Sequence, residues 1–437
     1  MFRISFSYLS ILFLLAACGG NFDSRNEKYM DAFKKGDYES AAQFLPIKDE
    51  ELANETWLAG LQCGAGYMWA GREEKAQQCF AAADDALGES KSTTYDPLEF
   101  EKIMMKTYQG MSALTMHDPA ARRFFNQAYY LQTQSVQAAS KQIDELEQEF
   151  KKSAAKVPGM PSLSSIVKDV DSQMERNAQV AAMSDFANPY ATWLSALHSG
   201  LNGDIGNAEN YIKRVMVFAP ENKFVAGDIA ALKSGQPHVW IVLEDGIVGR
   251  RTIHKMAPRS LRKWNINLSI PDLTAGTRAV RNLEIADGNK KVETQLLADI
   301  TRIAKTDLMK TRRRDIIASV SFEVAKVAAA GTAFVVSEVA AHSHAGKNDA
   351  GGAMAFALLG RAAFAVLMAR DLDWETRNWG ALPNTVAVAR VPMPRSREIE
   401  IDGVGKVRIP AGINNAIVSV RIPLQTAKPG IIIGKLN

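Results

Sequence analysis

Signatures that carry chemistry are scarce in this chain. It has no Gly-x-x-x-x-Gly-Lys-Ser/Thr loop, no Gly-x-Gly-x-x-Gly turn and no Gly-x-Ser-x-Gly elbow. The usual phosphate cradles, dinucleotide folds and hydrolase nucleophile turns are therefore missing. Cysteine is rare, three in 437 residues. Cys18 has a separate role, which leaves Cys63 and Cys79 as one potential bridge that spacing alone does not establish. His342-x-His344 sits in a Gly/Asn/Asp loop near Asp349 and lacks a third ligand, so it reads as a polar helix–helix loop rather than a metal site. Ser165-Ile166-Val167-Lys168 matches Ser-x-x-Lys by itself, without companion motifs and in polar, Pro/Gly-broken surroundings. The expectation is no catalytic, cofactor-binding or metal-binding residue.

What the chain does have begins at its start. One early cation, Arg3, precedes the apolar run Ile11-Leu12-Phe13-Leu14-Leu15 and the small pair Ala16-Ala17. That is the layout of a secretory signal peptide, here residues 1–17. Leu15-Ala16-Ala17-Cys18 resembles the lipobox of bacterial lipoproteins, which implies that Cys18 carries lipid and becomes the first mature residue. The run is too short to span a bilayer, which takes about 20 apolar residues. Stable anchoring needs at least two acyl chains, and lipoproteins of this type carry three. Gly19-Gly20-Asn21 follow, and the absence of an aspartate directly after Cys18 points to the outer membrane. Residues 18–27 read as a lipidated tether. The expected compartment is the periplasmic side of the outer membrane, where a Cys63–Cys79 disulfide is permitted and nucleic acid is not an expected partner.

The net charge of +4 hides a split. Residues 1–235 carry 23 Lys/Arg against 30 Asp/Glu, a balance of −7. Residues 236–437 carry 29 against 18, a balance of +11. Such a split suggests a domain boundary and an anionic partner for the second part, or two parts that face each other.

Residues 28–235 read as a tetratricopeptide-like (TPR-like) helical array. A Gly turn followed by alanine recurs at Gly36/Ala41, Gly71/Ala76 and Gly203/Ala208. The first two turns lie 35 residues apart, close to the 34 of that repeat. Gly64, Tyr67, Ala76, Phe80 and Ala83 fall where the repeat places its small and aromatic residues. The unit 191–220 repeats the logic, and a weaker one spans 102–130 with Met116-His117-Asp118-Pro119 at its turn. Stacked pairs bury what one pair cannot. Residues 131–183 read as a polar helical insertion, either a coiled-coil pair or a solvated excursion.

From 236 onward strands are expected: 238–243, 264–270, 283–285, 385–391, 398–401, 416–422 and 431–433, making an antiparallel sheet or sandwich. A helical pair over 292–370 interrupts them. Residues 350–369 are apolar apart from Arg361. The central arginine, at roughly 2.5–3.5 kcal/mol on an insertion scale, favours a buried hairpin over a membrane span. The fold class is thus α+β: a TPR-like helical array, then an antiparallel β domain with a long inserted helical hairpin.

Three segments together are familiar. Phe186-Ala187-Asn188-Pro189-Tyr190, Val242-Leu243-Glu244-Asp245-Gly246 and Glu375-Thr376-Arg377-Asn378-Trp379-Gly380-Ala381-Leu382-Pro383 occur in that order behind the lipobox. They resemble a family of uncharacterised bacterial outer-membrane lipoproteins with a TPR-like amino-terminal half. The family's last motif reads Asp-x-Arg-x-Trp-x-x-Leu-Pro, and Glu375 replaces the aspartate. The resemblance implies architecture and no particular activity.

The functional expectation is a non-catalytic interaction scaffold that binds a periplasmic or outer-membrane protein partner in envelope assembly or maintenance. The alternative is an enzyme or carrier acting on envelope lipid or glycan through the basic second half. Candidate interaction residues are Arg312, Arg313 and Arg314, in the densest basic cluster, together with Arg377 and Trp379.

Overall fold

The protein is described from a computed structural model over residues 17–47, 49–88, 95–134, 139–175, 188–287, 290–345, 372 and 374–436. It is mixed α+β, 54% helical and 18% strand. The first half is a row of helix pairs. α1 (Ala17–Lys34) leads into the short α2 (Tyr38–Gln43), and α3 (Thr56–Trp69) pairs with α4 (Glu73–Gly88). α5 (Glu99–Thr115) pairs with α6 (Ala121–Gln134). α7 (Ala139–Ala154) and α8 (Leu163–Glu175) are inserted before α9 (Pro189–Leu201) and α10 (Ile205–Phe218), and α11 (Lys223–Ser234) closes the row.

Each pair turns the same way. At Gly36, Gly71, His117 and Gly203 the N–H donates to the carbonyl three residues back: Phe33, Met68, Leu114 and Gly200. The next N–H donates to the carbonyl five back: Ala32, Tyr67, Ala113 and Ser199. This double bond pattern ends a helix on a left-handed residue, with φ of 80°, 68°, 58° and 88° at the four positions. Three are glycine, as that conformation favours, and His117 carries a side chain there at a steric cost. His117→Gly should therefore stabilise the protein by up to about 1 kcal/mol, less the extra freedom glycine gives the unfolded chain. A midpoint in urea equal to or below wild type would refute this.

The α3–α4 pair shows why the sequence needs small residues. A Cβ on Gly64 would fall 2.4 Å from the Phe80 ring, so only glycine lets α4 approach this closely. The same pair is bridged by a Cys63–Cys79 disulfide closing a 16-residue separation. A loop of that size contributes about 3 kcal/mol in the chain-entropy view.

Beyond α11 come β1 (His238–Asp245), β2 (Arg251–Met256), β3 (Leu268–Leu273), β4 (Glu284–Asp287), β5 (Lys290–Glu293) and β6 (Gln295–Asp299). The 46-residue α12 (Ile300–Ala345) follows. Then come β7 (Thr385–Pro392), β8 (Glu398–Ile401), β9 (Gly405–Arg408), β10 (Ala416–Ile422) and β11 (Gly430–Lys435). Five strands form the main sheet in the order β11-β10-β1-β7-β6, while β5-β4-β8-β9 make a smaller sheet and β2-β3 a hairpin. Period-two alternation splits the main sheet's side chains. Trp240, Val242, Val386, Val388, Ile417 and Ile432 join the helices in one core. Val239, Ile241, Leu243, Ala389, Val418 and Val420 face the small sheet through Ile285, Ile399, Ile401 and Val407. The result is three layers: helices, main sheet, small sheet.

Several expectations change. β1 runs parallel to β10, so the main sheet is mixed rather than antiparallel. The tether expected over 18–27 is helical from residue 17, and Phe22 is buried. The long helix starts at Ile300 instead of 292. β5 and β6 take up 290–299, and Asp299 caps the helix by accepting from the Arg302 N–H at 2.8 Å. The insertion within 131–183 is neither a coiled-coil pair alone nor solvated. Phe150, Val157, Ile166 and Val170 build a third core with Leu268, Ile270, Ile316, Val320 and Val324. Chain texture changes at residues 235–238, yet one apolar core runs across that point, joining Trp57 and Tyr108 to Trp240 and Trp379. Residues 1–16 of the expected signal peptide, the second arm of the expected hairpin and the apolar stretch 350–369 lie outside the described residues. Among the described residues no helix is long and apolar enough to cross a membrane.

Candidate functional site

The helical row and the main sheet pack directly on one another through a shared core. Buried polar groups fix the two layers together. Glu101 on α5 is fully buried and accepts from Tyr95 Oη at 2.7 Å, the Leu98 N–H at 2.9 Å, Arg251 Nη2 at 2.9 Å and the Trp379 N–H at 3.0 Å. Glu244 on β1 accepts from Tyr108 Oη at 2.5 Å and Tyr190 Oη at 2.9 Å. Burial pushes its carboxyl above the ordinary range, and the nearby Arg421 guanidinium opposes that rise. Arg421, also fully buried, donates to the carbonyls of Glu244, Ala381 and Leu382. Asp228 on α11 accepts from Trp193 Nε1 at 2.7 Å and Trp240 Nε1 at 3.0 Å and pairs with Arg390. Gln62 completes the seam by accepting from the Ala381 N–H at 3.2 Å.

These contacts explain the charge split. Ion pairs that cross from the first part to the second include Glu55–Arg377, Glu101–Arg251, Glu147–Arg313, Asp171–Arg312 and Asp228–Arg390. In each the acid lies before residue 235 and the base after it. The two parts face each other, so much of the basic excess is spent inside the molecule.

The candidate interaction residues follow that pattern. Arg312 and Arg313 point to α8 and α7, and Arg314 pairs with Asp315 at 2.8 Å. Arg377 grips Glu55 at 2.6 Å and Glu375 at 2.7 Å. Trp379 is fully buried, with its ring 5.3 Å from Tyr108 and 6.2 Å from Phe80. Thus Arg377 and Trp379 meet at the helix–sheet seam, while Arg312–Arg314 lie in the third core's rim. The side chains of Cys18, His342 and His344 lie outside the described residues, as do Phe186 and Ala187. Among the described residues no group of three metal-ligating side chains occurs.

Asp307 on α12 is buried against the start of α5 and accepts from the Phe100 N–H at 2.9 Å. Burial lifts its pKa to about 6 from 3.8, against the pull of that N–H and Lys310. A raised carboxyl pKa means the fold holds the proton more tightly than the unfolded chain does. Its stabilising contribution is full below pH 3.8 and is lost as pH rises through 6. Asp307→Asn keeps an acceptor for Phe100 without the buried charge. It should stabilise by about 1–2 kcal/mol at pH 7.5 and be near neutral at pH 4. Unfolding curves of both proteins at the two pH values decide this, and equal effects at both would sink it.

An open concavity lies at the end of the helical row. A cleft of about 610 Å³ runs between the α10–α11 turn, the edge strand β6 and the first turn of α12. Asn222 builds it. Its side chain caps α11 by accepting from the Phe224 and Val225 N–H groups at 3.1 Å, and donates to the carbonyls of Gln295 at 3.1 Å and Leu296 at 2.9 Å. The lining includes Phe218, Pro220, Leu297 and Ile303, with Arg281 and Arg302 among its polar members. Leu296 on the edge strand is 54% exposed. The arrangement suits an amphipathic guest: an apolar floor and a rim of mixed charge, Arg281 and Arg302 with Glu221, Glu293 and Asp299. Sequence reading missed it because its residues come from five separated segments. Comparison of the chain with protein-family models, curated proteins and solved structures yields no match.

Proposed function

We propose that this chain is a lipid-anchored binding protein of the bacterial envelope, held at Cys18 on the periplasmic face of the outer membrane and acting as a non-catalytic scaffold in envelope assembly or maintenance. In this reading residues 1–17 are removed, and the chain is kin to the lipoproteins that its three motifs resemble. The helical row is TPR-like, which the four matching helix-pair turns support. The Cys63–Cys79 disulfide suits an exported protein. The observation that carries the reading is the cleft at β6, a built concavity of about 610 Å³ with an exposed leucine on the edge strand of the main sheet. The partner docks at this cleft.

A second reading, a carrier for an envelope lipid or glycan, draws on the cleft's apolar floor beneath Arg281 and Arg302. One pair of experiments separates them. Cys18→Ser should lose acyl labelling and leave the membrane fraction; retention of both would remove the anchor. Crosslinked wild-type envelopes should yield a specific protein partner that Leu296→Arg loses. Co-purifying lipid with no protein would favour the carrier, and neither would end the binding reading.

A further inference from the structure

The pairing that absorbs so much basic charge leaves out one lobe. Residues 150–168 and 255–271 carry eight Lys/Arg and no Asp/Glu. The first segment is the end of α7, the turn after it and the start of α8. The second joins β2 to β3 through a 3-10 turn, Arg259–Trp264. The two segments pack on each other. Val157 and Ile166 share a core with Leu261 and Ile266. The Ser260 N–H and hydroxyl both donate to Asp169 Oδ2, each at 2.8 Å. At the α7–α8 turn Gly159 lies so near the second segment that a Cβ there would stand 3.8 Å from Lys263 Nζ and 4.0 Å from the Trp264 ring. Exposed cations therefore gather from both segments. Lys151, Lys152, Lys156 and Lys168 come from the first, and Arg259, Arg262 and Lys263 from the second. Among the described residues none of these seven forms an ion pair.

Like charges gathered without carboxylates repel one another, and an anionic partner relieves that cost. Exposed lysines elsewhere are paired, Lys291 with Glu284 and Lys406 with Glu398. Asp169, at the seam of the lobe, is taken up by Ser260 and by Gln173 Nε2 at 2.9 Å. Apolar groups stand among the cations. Trp264 is half-buried with Lys263 Nζ 5.4 Å from its ring centroid, Met160 is half-buried and Pro158 is exposed. Tryptophan sits at the headgroup level of a bilayer, where its ring meets both phases. Lysine and arginine beside it are drawn to anionic lipid, each adding about fivefold in affinity. The two exposed turns, Pro158-Gly159 and Arg262-Lys263, can meet a flat surface together. We propose that this end of the lobe docks on an anionic phospholipid bilayer, its cations on the lipid phosphates and Trp264 at the headgroup level. This contact is separate from the β6 cleft and from Cys18, and it stands whether or not Cys18 carries lipid.

The test mixes the full chain with vesicles of phosphatidylcholine alone, or of phosphatidylcholine with about 30% phosphatidylglycerol. Acetic anhydride labels the lysines, and mass spectrometry reads the rate at each. Lys156 and Lys263 should react about tenfold more slowly on the anionic vesicles than on the neutral ones, within what two cations at the surface supply. Lys213 on α10 and Lys406 on β9, both exposed, should react alike on the two. Lys152→Gln with Arg262→Gln should return Lys156 and Lys263 to their neutral-vesicle rates, at about fivefold per cation removed. Both substituted side chains are exposed, so the fold is not at stake. Equal rates on the two vesicles overturn the proposal, as does protection that survives the double substitution. Protection by heparin and not by vesicles also overturns it, and gives the patch to a polyanionic chain. Binding to neutral vesicles reports the anchor by itself. Its loss with protection kept on anionic vesicles removes the anchor and upholds this contact.

Discussion

Glu101→Ala should lose about 3–5 kcal/mol of stability, because it strands a buried charge rather than merely deleting a contact. Arg251 is 5% exposed and would keep only the Asp96 carbonyl, 2.8 Å from Nη1, to accept from it. Its Nε is already without an acceptor. Tyr95 Oη and the N–H groups of Leu98 and Trp379 would lose their acceptor together, and each unmet buried donor costs about 1–3 kcal/mol. Urea unfolding at pH 7 measures the loss. Arg251→Met in the same background should recover part of it, since the pair is then replaced by apolar volume. Loss below about 1 kcal/mol would show that the seam relaxes and that Glu101 is not a keystone.

Much of this seam was readable only in part from the chain. β8 and β10 are found at their expected bounds, because alternating or continuous apolar residues between turn signals leave little choice. β2, β5, β6 and β9 were not expected. Arg251–Met256 is mostly polar on one face, Lys290–Glu293 and Gly405–Arg408 have four residues each, and Gln295–Asp299 merges with the apolar start of a helix. Pairing, not local pattern, makes those strands. Residue type told the role of Gly64, where helix approach demands no side chain, and of the turn glycines. The role of Arg377 and Trp379 was half legible. The motif marked them as joined, but only the fold shows that Arg377 reaches across to Glu55 on the helical side. Glu244 gave one unused sign: a carboxylate continuing an apolar strand, His238–Leu243, is either at a strand end or held by partners inside. The β6 cleft gave none, since Phe218, Leu296 and Arg302 meet only after the chain has closed.

Arg421→Met should be of similar size, about 3–5 kcal/mol, and differs in its pH dependence. Methionine fills the space, so the loss is not a cavity effect. The Ala381 carbonyl loses its donor at 3.0 Å, and the Glu244 and Leu382 carbonyls lose theirs at 3.1 and 3.3 Å. The larger change falls on the Glu244 carboxyl, already raised by burial and restrained by Arg421 alone among nearby cations. Without the guanidinium its pKa rises further. A raised carboxyl contributes stability that is present at low pH and disappears as pH climbs through the folded value. The variant's deficit should therefore be smaller at pH 5, where the lost carbonyl contacts remain, than at pH 8. Adding Glu244→Gln should flatten that dependence, because the amide still accepts from Tyr108 or Tyr190 without needing a counter-charge. A deficit that stays constant from pH 5 to 8 would mean the lost carbonyl contacts are the whole effect. In that case Arg421 is a backbone clamp and not the counter-ion of the buried acid.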